Sequence, residues 1–301
     1  MRYNIPSWGW DIFHRKTPPT PWGISSLRDL EPLVDMIMLT LYTGYIKNVP
    51  KPNSLLIIAK PESGKTEALK KFIPNKNVAY ISDVTAYGIQ RDFLPKIETG
   101  EVRHIIIPDL IKPLSRKQST VKTFVTMMNS LIEEGISVVS TYATPLLTYQ
   151  KPIKCGLITA ITSDEFKDHR HRWTSIGFLS RTIPFSYSYS IETVKKVFDY
   201  ILGLDYLKEQ DIELKRIPKQ DKKIKLPRKY AQAILPSTAT IAEAQKTYGF
   251  RLQKQFQALL QASALERGRD AVNSTDLERV LHLMGWVNFD ENPIASRRLR
   301  K

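Results

Sequence analysis

The stretch that most limits what this chain can become runs from Leu55 to Thr66. Four apolar residues, Leu55-Leu56-Ile57-Ile58, precede Ala59-Lys60-Pro61-Glu62-Ser63-Gly64-Lys65-Thr66, and Leu69, Phe72 and Ile73 follow at helical spacing. A strand over 54–58, a tight loop and a helix over 64–73 is the context of a phosphate-binding loop, G-x-x-x-x-G-K-[ST], with Ala59 in place of the first glycine. In such a loop successive backbone N–H groups face one anion. On this reading the loop from Pro61 through Glu62, Ser63, Gly64 and Lys65 to Thr66 and Glu67 wraps the phosphates. Lys65 reaches the β- and γ-phosphates of ATP, and the Thr66 hydroxyl ligates Mg²⁺. The plain alternative is a strand-to-helix turn carrying a surface lysine.

Composition narrows the classes. A chain of 301 residues with 42% hydrophobic content can bury a substantial core. No run approaches the ~18 apolar residues of a membrane span, and the first residues lack the apolar core of a signal peptide. One cysteine, Cys155, rules out an internal disulfide. The expectation is an intracellular, cytoplasmic protein without a membrane partner. The net charge of +15 points to a polyanionic partner; a merely basic surface is the rival reading.

Along the chain, residues 1–24 carry Trp8, Trp10, Phe13, Pro18, Pro19, Pro21 and Trp22, which predicts an extended arm. Ser26 is the expected N-cap of a helix with Asp29 in its first turn and an apolar stripe through Leu41. Val78–Ile81 reads as a second strand, and His104–Asp109 as a third that ends in a carboxylate. Val121 to Ile132 is an amphipathic helix stopped by Gly135. Strands alternating with helices predict a mainly parallel α/β sheet. Runs over 136–142 and 146–154 predict a hairpin, followed by a strand over 156–162 and another over 183–189. Lys208–Lys229 is the most basic stretch. Helices follow it, one from Phe250 to near Gly268 and one capped by Ser274.

These parts, in this order, resemble an AAA+ ATPase, and within it the clade of minichromosome maintenance helicases. The loop 59–66 resembles that family's G-P-P-G-S-G-K-T, with Ala59 and Glu62 replacing glycines. The strand ending in Asp109 resembles the one whose carboxylate holds the metal opposite Thr66. The family's usual following Glu is Leu110 here; in the alternative register Pro108 takes the Asp position and Asp109 the Glu position. Either way one carboxylate is missing, which implies slow hydrolysis or a group supplied from elsewhere. Thr162 stands in the place of sensor 1. Phe178-Leu179-Ser180-Arg181 resembles L-L-S-R-F, which makes Arg181 the arginine-finger candidate, with Arg170 and Arg172 as rivals on what reads as a solvated loop. Arg251, opening the helix Phe250–Arg269, matches the lid arginine called sensor 2.

The resemblance implies an α/β P-loop core with a small all-α lid: an arm over 1–24, a core over 25–205, a basic linker over 206–230, a lid over 231–290 and a basic tail over 291–301. It implies ATP and Mg²⁺ as cofactors and a homo-oligomer, a ring or helical filament, with a hexamer expected. The hairpin before sensor 1 implies a DNA grip through Tyr149, Lys151 and Lys154, with Tyr142 nearby, the strand preference of that DNA undecided. A helicase or helicase-like replication motor is the leading expectation. The alternatives are an ATP-switched DNA filament former or loader with weak hydrolysis, and a peptide-threading remodeller, which the charge disfavours.

Overall fold

The computed structural model describes residues 29–141, 144–208 and 210–290. The expected arm, the Ser26 cap, Tyr142 and the basic tail lie outside them.

The first described helix, α1 (Glu31–Tyr42), begins one residue after Leu30, with proline in its first turn and no side-chain cap. Pro32 has no N–H to satisfy and a preset φ, so it suits that place. Asp29, expected inside the helix, precedes it at φ 62°. Then come β1 (Leu55–Ala59), α2 (Lys65–Lys70) and β2 (Val78–Tyr80). A helical stretch over 86–98, α3, contains one π turn. β3 (His104–Ile107), a single turn α4 (Ile111–Leu114) and α5 (Gln118–Asn129) follow. Beyond a π turn ending at Glu134 lie β4 (Ile136–Thr141), β5 (Thr144–Ile153), β6 (Gly156–Thr162), α6 (Ser163–Ser175), β7 (Ile183–Ser186) and α7 (Ile191–Leu202).

Five strands form one parallel sheet in the order β2-β3-β6-β1-β7. Parallel strands covered on both faces are apolar throughout rather than alternating, and every residue of β1 and β3 is buried. Odd and even residues serve opposite faces. Leu55, Ile57, Ile158, Ala160 and Ile183 pack with α1 and α2, while Leu56, Ile58, Ile105, Ile107 and Leu157 pack with α3, α5 and α6. β4 and β5 pair antiparallel in a separate ribbon with two register irregularities. The hairpin therefore exists as expected, with its second strand starting at Thr144.

The C-terminal helices are α8 (Arg228–Ala233), α9 (Leu235–Ala244), α10 (Phe250–Glu266) and α11 (Ser274–Met284). The cap of α11 is Asn273 rather than Ser274. Its side chain accepts from the Asp276 N–H, and the Asp276 carboxylate accepts from the Asn273 N–H, a capping box that starts the helix at Ser274, one residue earlier than expected. Leu252, Phe256 and Leu259 share one core with Leu33 and Met36 of α1. Phe250, whose apolar character and place with Phe256 and Leu259 in one helix predict a covered position, is instead 74% exposed. Arg279 of α11 joins α1 to α10, with Nε 2.9 Å from Asp35 Oδ2 and Nη1 2.8 Å from Glu266 Oε2. Both carboxylates are buried, so loss of the guanidinium would strand two charges. The stretch 206–230 is stapled to the core by Ile212 N–H to the Lys71 carbonyl at 2.7 Å and by Asn75. It separates two segments in sequence but not in packing. Among the described residues no helix is long and apolar enough to cross a membrane.

Candidate nucleotide site and the opposite, basic edge

Register decides what meets at the carboxyl edge of the sheet. Ala59 pairs with Thr162, and Ile107 pairs with Thr159 on the other side of β6. The loop after β1, Asp109 after β3 and Thr162 at the end of β6 therefore emerge side by side. Ligands of open parallel sheets bind at this edge, where connections diverge.

The loop after β1 has an unusual backbone. Glu62 lies at φ 59° and Gly64 at φ 80°, left-handed residues on either side of Ser63. Such alternation turns neighbouring N–H groups toward one concavity. At Gly64 a Cβ would stand 3.1 Å from Leu30 Cδ1 and 3.2 Å from Tyr189 Oη, so a side chain there would press on both neighbours as well as take up a left-handed backbone. Glu62 adopts a conformation costly for a side-chain-bearing residue, and the loop holds it there. Two phenols lock the loop from the β7 side: Tyr187 and Tyr189 donate to the Ser63 carbonyl at 2.8 and 2.6 Å. Burial pushes both phenols up, Tyr189 to about 12, so both remain donors at neutral pH.

Lys65 folds back over the loop. Its ammonium donates to the Ala59 carbonyl at 2.8 Å, to Ser63 Oγ at 3.2 Å and to the Lys60 carbonyl. Thr66, Pro61, Glu62 and Glu67 face outward, and Glu67 pairs with Lys70 at 2.8 Å. Asp109 is half-buried and Oδ1 accepts the Ile111 N–H at 3.1 Å, leaving its other oxygen for a cation. Leu110, where a second carboxylate was in question, is buried, and its N–H bonds to the Ala160 carbonyl. The Thr162 hydroxyl accepts from Glu165 N–H at 3.4 Å as the N-cap of α6 and still has its proton to donate. These donors suit a Mg²⁺–nucleotide: a cation and N–H groups for phosphate, with a hydroxyl and a carboxylate for a hard metal.

Arg181 and Arg251 are not brought to this edge. Ile183 pairs with Leu55, so Arg181 lies before the start of β7, a strand length of ~13 Å from the level of Ala59. Its Nη2 lies 2.9 Å from Glu134 Oε1, and Nη1 donates to the Gly177 carbonyl at 2.7 Å. Arg251 lies beside it, with Nη1 donating to Ser180 Oγ at 3.1 Å and Nε 3.2 Å from Glu133 Oε1. Glu133 also binds Lys51. Burial opposes ionisation of Glu133 and Glu134, but Lys51 and Arg181 respectively hold both carboxyls below their usual range. Neither arginine can serve Lys65 of its own chain. Arg170 and Arg172 lie on α6, not a loop. Arg170 covers the Phe166 and Phe289 rings and reaches Asp290 at 3.3 Å.

The hairpin residues divide. Lys151 is exposed and Lys154 half-buried, but Tyr149 is 8% exposed and packs in the core on the α3 side of the sheet, so its ring is not presented to a base. Both lysines line a cleft of about 540 Å³ at the amino edge, with Lys47, Lys51, Arg103 and Asp221. The basic stretch 208–229 arrives at the same place, where Lys222 N–H bonds to the Tyr45 carbonyl and Lys47 N–H to the Lys222 carbonyl, each at 2.9 Å. Sequence reasoning treated hairpin and basic stretch as rivals for a polyanion; the fold puts them at one mouth. It missed Lys47 and Arg103, whose only signal was basic character in short loops. No protein-family model matches the chain, and no curated protein sequence matches it.

Proposed function

We propose that this chain is an AAA+-type ATPase that works as an oligomeric, DNA-binding motor of helicase-like character. The observation that carries the reading is the sorting of its charged groups by edge. Lys65, Thr66, Asp109 and Thr162 converge where three parallel strands end, while Arg181 and Arg251 sit where β7 begins. In the first set Lys65 is the protein cation for the β/γ-phosphates; a further cation for the charge that develops on the transferring γ-phosphoryl group comes from the second set, and only to another copy. When bound, ATP–Mg²⁺ brings the phosphoanhydride and the divalent charge. Lys65 would exchange its loop carbonyls for phosphate oxygens, Thr66 and Asp109 would face the metal, and Thr162 would position an attacking water. The basic cleft would hold the phosphate backbone of DNA.

A second reading, an ATP-switched DNA filament former or loader, is favoured by Leu110. Its side chain is in the core, so the position after Asp109 offers no base for water.

ATP turnover measured with and without single-stranded DNA tests the proposal. We expect turnover that DNA stimulates and that Lys65→Ala abolishes, because the β/γ-phosphates lose their cation. Normal nucleotide binding and turnover by Lys65→Ala would remove the site. Tight binding without turnover would favour the switch.

A further inference from the structure

Two aromatic rings stand in solvent on the turn before α10. Tyr248 is 90% and Phe250 74% exposed, and their rings stack at a centroid distance of 5.8 Å and an interplanar angle of 12°. Hydrophobic burial does not explain them, and the turn that carries them is tight. Gly249 sits at φ 76°, where a Cβ would come 2.8 Å from Ala242 Cβ, and the Thr247 N–H closes on the Ala242 carbonyl at 2.9 Å. The rings are thus projected from a fixed support. Lys246, Arg251 and Lys254, close to them in sequence, are exposed, as is Glu243, and Arg251 is paired with Glu133.

This platform adjoins the basic cleft. Arg251, next in sequence to Phe250, shares the Glu133 carboxylate with Lys51, which lines the cleft. Farther along the cleft, Lys47, Lys151 and Lys154 have no carboxylate within ion-pair reach among the described residues. Arg103 is held by Asp221 and lies over the Tyr45 ring at 4.7 Å, with its Nε buried and unpartnered.

We propose that the amino edge of the sheet is a track for single-stranded nucleic acid. Phosphates run through the cleft on Lys47, Lys151 and Lys154, and unpaired bases stack on the Tyr248–Phe250 platform. Basic grooves interleaved with aromatic faces are how proteins hold single strands, because every base has a π-face and only an unpaired one exposes it. The cationic surroundings favour this occupant over an apolar protein surface. The inference rests on the polyanion part of the proposed function and not on ATP hydrolysis. It names the strand class and adds the lid to the binding surface.

The test is fluorescence anisotropy of the full chain, without nucleotide, on a labelled oligo-dT and on a duplex of equal length, across a salt series. Tyr248→Ala with Phe250→Ala should weaken oligo-dT binding about tenfold or more and leave the duplex nearly unchanged, whereas Tyr248→Phe should bind as the parent does. Lys47→Gln with Lys151→Gln should flatten the log–log salt slope by about one unit. All four positions are exposed, so a thermal melt should show the fold retained. The proposal is overturned if the ring variant binds oligo-dT normally, if the duplex loses as much as the single strand, or if the variant loses only self-association. Absence of ATP turnover with the ring effect intact would remove the proposed ATPase and leave the track standing.

Discussion

Arg181 Nη2 rests 2.9 Å from Glu134 Oε1, on the edge of the sheet opposite Lys65. The arginine side chain is 14% exposed and the glutamate 56%, so the pair lies at the rim of the fold with the carboxylate outermost. In the proposed assembly the phosphate held by another copy takes the place of that carboxylate.

Arg181→Lys should therefore be a poor substitute. A planar, permanently charged fork spans two oxygens, and an ammonium does not. Turnover should fall by about a thousandfold, the scale of such groups in phosphoryl transfer, with nucleotide affinity kept. Single-turnover kinetics beside equilibrium binding checks this, and a lysine variant with parental turnover would argue against the role.

Glu62 supplies a test of the loop itself. Glu62→Gly should keep nucleotide binding, because glycine takes φ 59° freely. Glu62→Val should lower stability in urea unfolding and weaken binding, since a β-branched residue occupies that region less readily than Glu. Equal binding by the two variants would show that the left-handed turn is not what shapes the site.

Asp109→Asn should leave ATP binding close to the parent's and collapse Mg²⁺-dependent turnover, because the metal loses a charge while the Ile111 N–H keeps an acceptor. A variant that turns over normally would take Asp109 out of the metal site.

His104 sets a pH dependence of stability. It is wholly buried at the start of β3, and burial pushes its imidazole down to about 3. The folded value lies below the unfolded one, so its contribution is fully present above about pH 6.5 and is lost as pH falls toward the folded value. Unfolding free energy should drop by about 1.4 kcal/mol per pH unit across that window. An imidazole resonance for His104 that titrates near its ordinary value would contradict this.

The sheet was legible because buried parallel strands spell themselves as unbroken apolar runs, as in Leu55–Ile58 and His104–Ile107. The loop was legible because Gly64-Lys65-Thr66 is a local pattern. Which residues share an edge was not, since register and strand order are long-range: nothing near Arg251 announces Glu133, and nothing near Lys151 announces Lys47. Phe250 and Tyr149 were misread for one reason. Helical or strand spacing marks a face, but it does not say whether that face is covered. The salt bridge of Arg279 with Asp35 joins residues 244 apart in sequence, beyond any local pattern.

If a working site is shared between copies, two inactive proteins should complement each other on mixing. Lys65→Ala and Arg181→Ala carry their lesions at opposite edges of the sheet, so a mixed assembly contains some junctions with both groups intact. Mixing should recover part of the ATP turnover, with neither variant active alone and Arg181→Ala still binding nucleotide. No recovery, under conditions where the two variants demonstrably co-assemble, would contradict it.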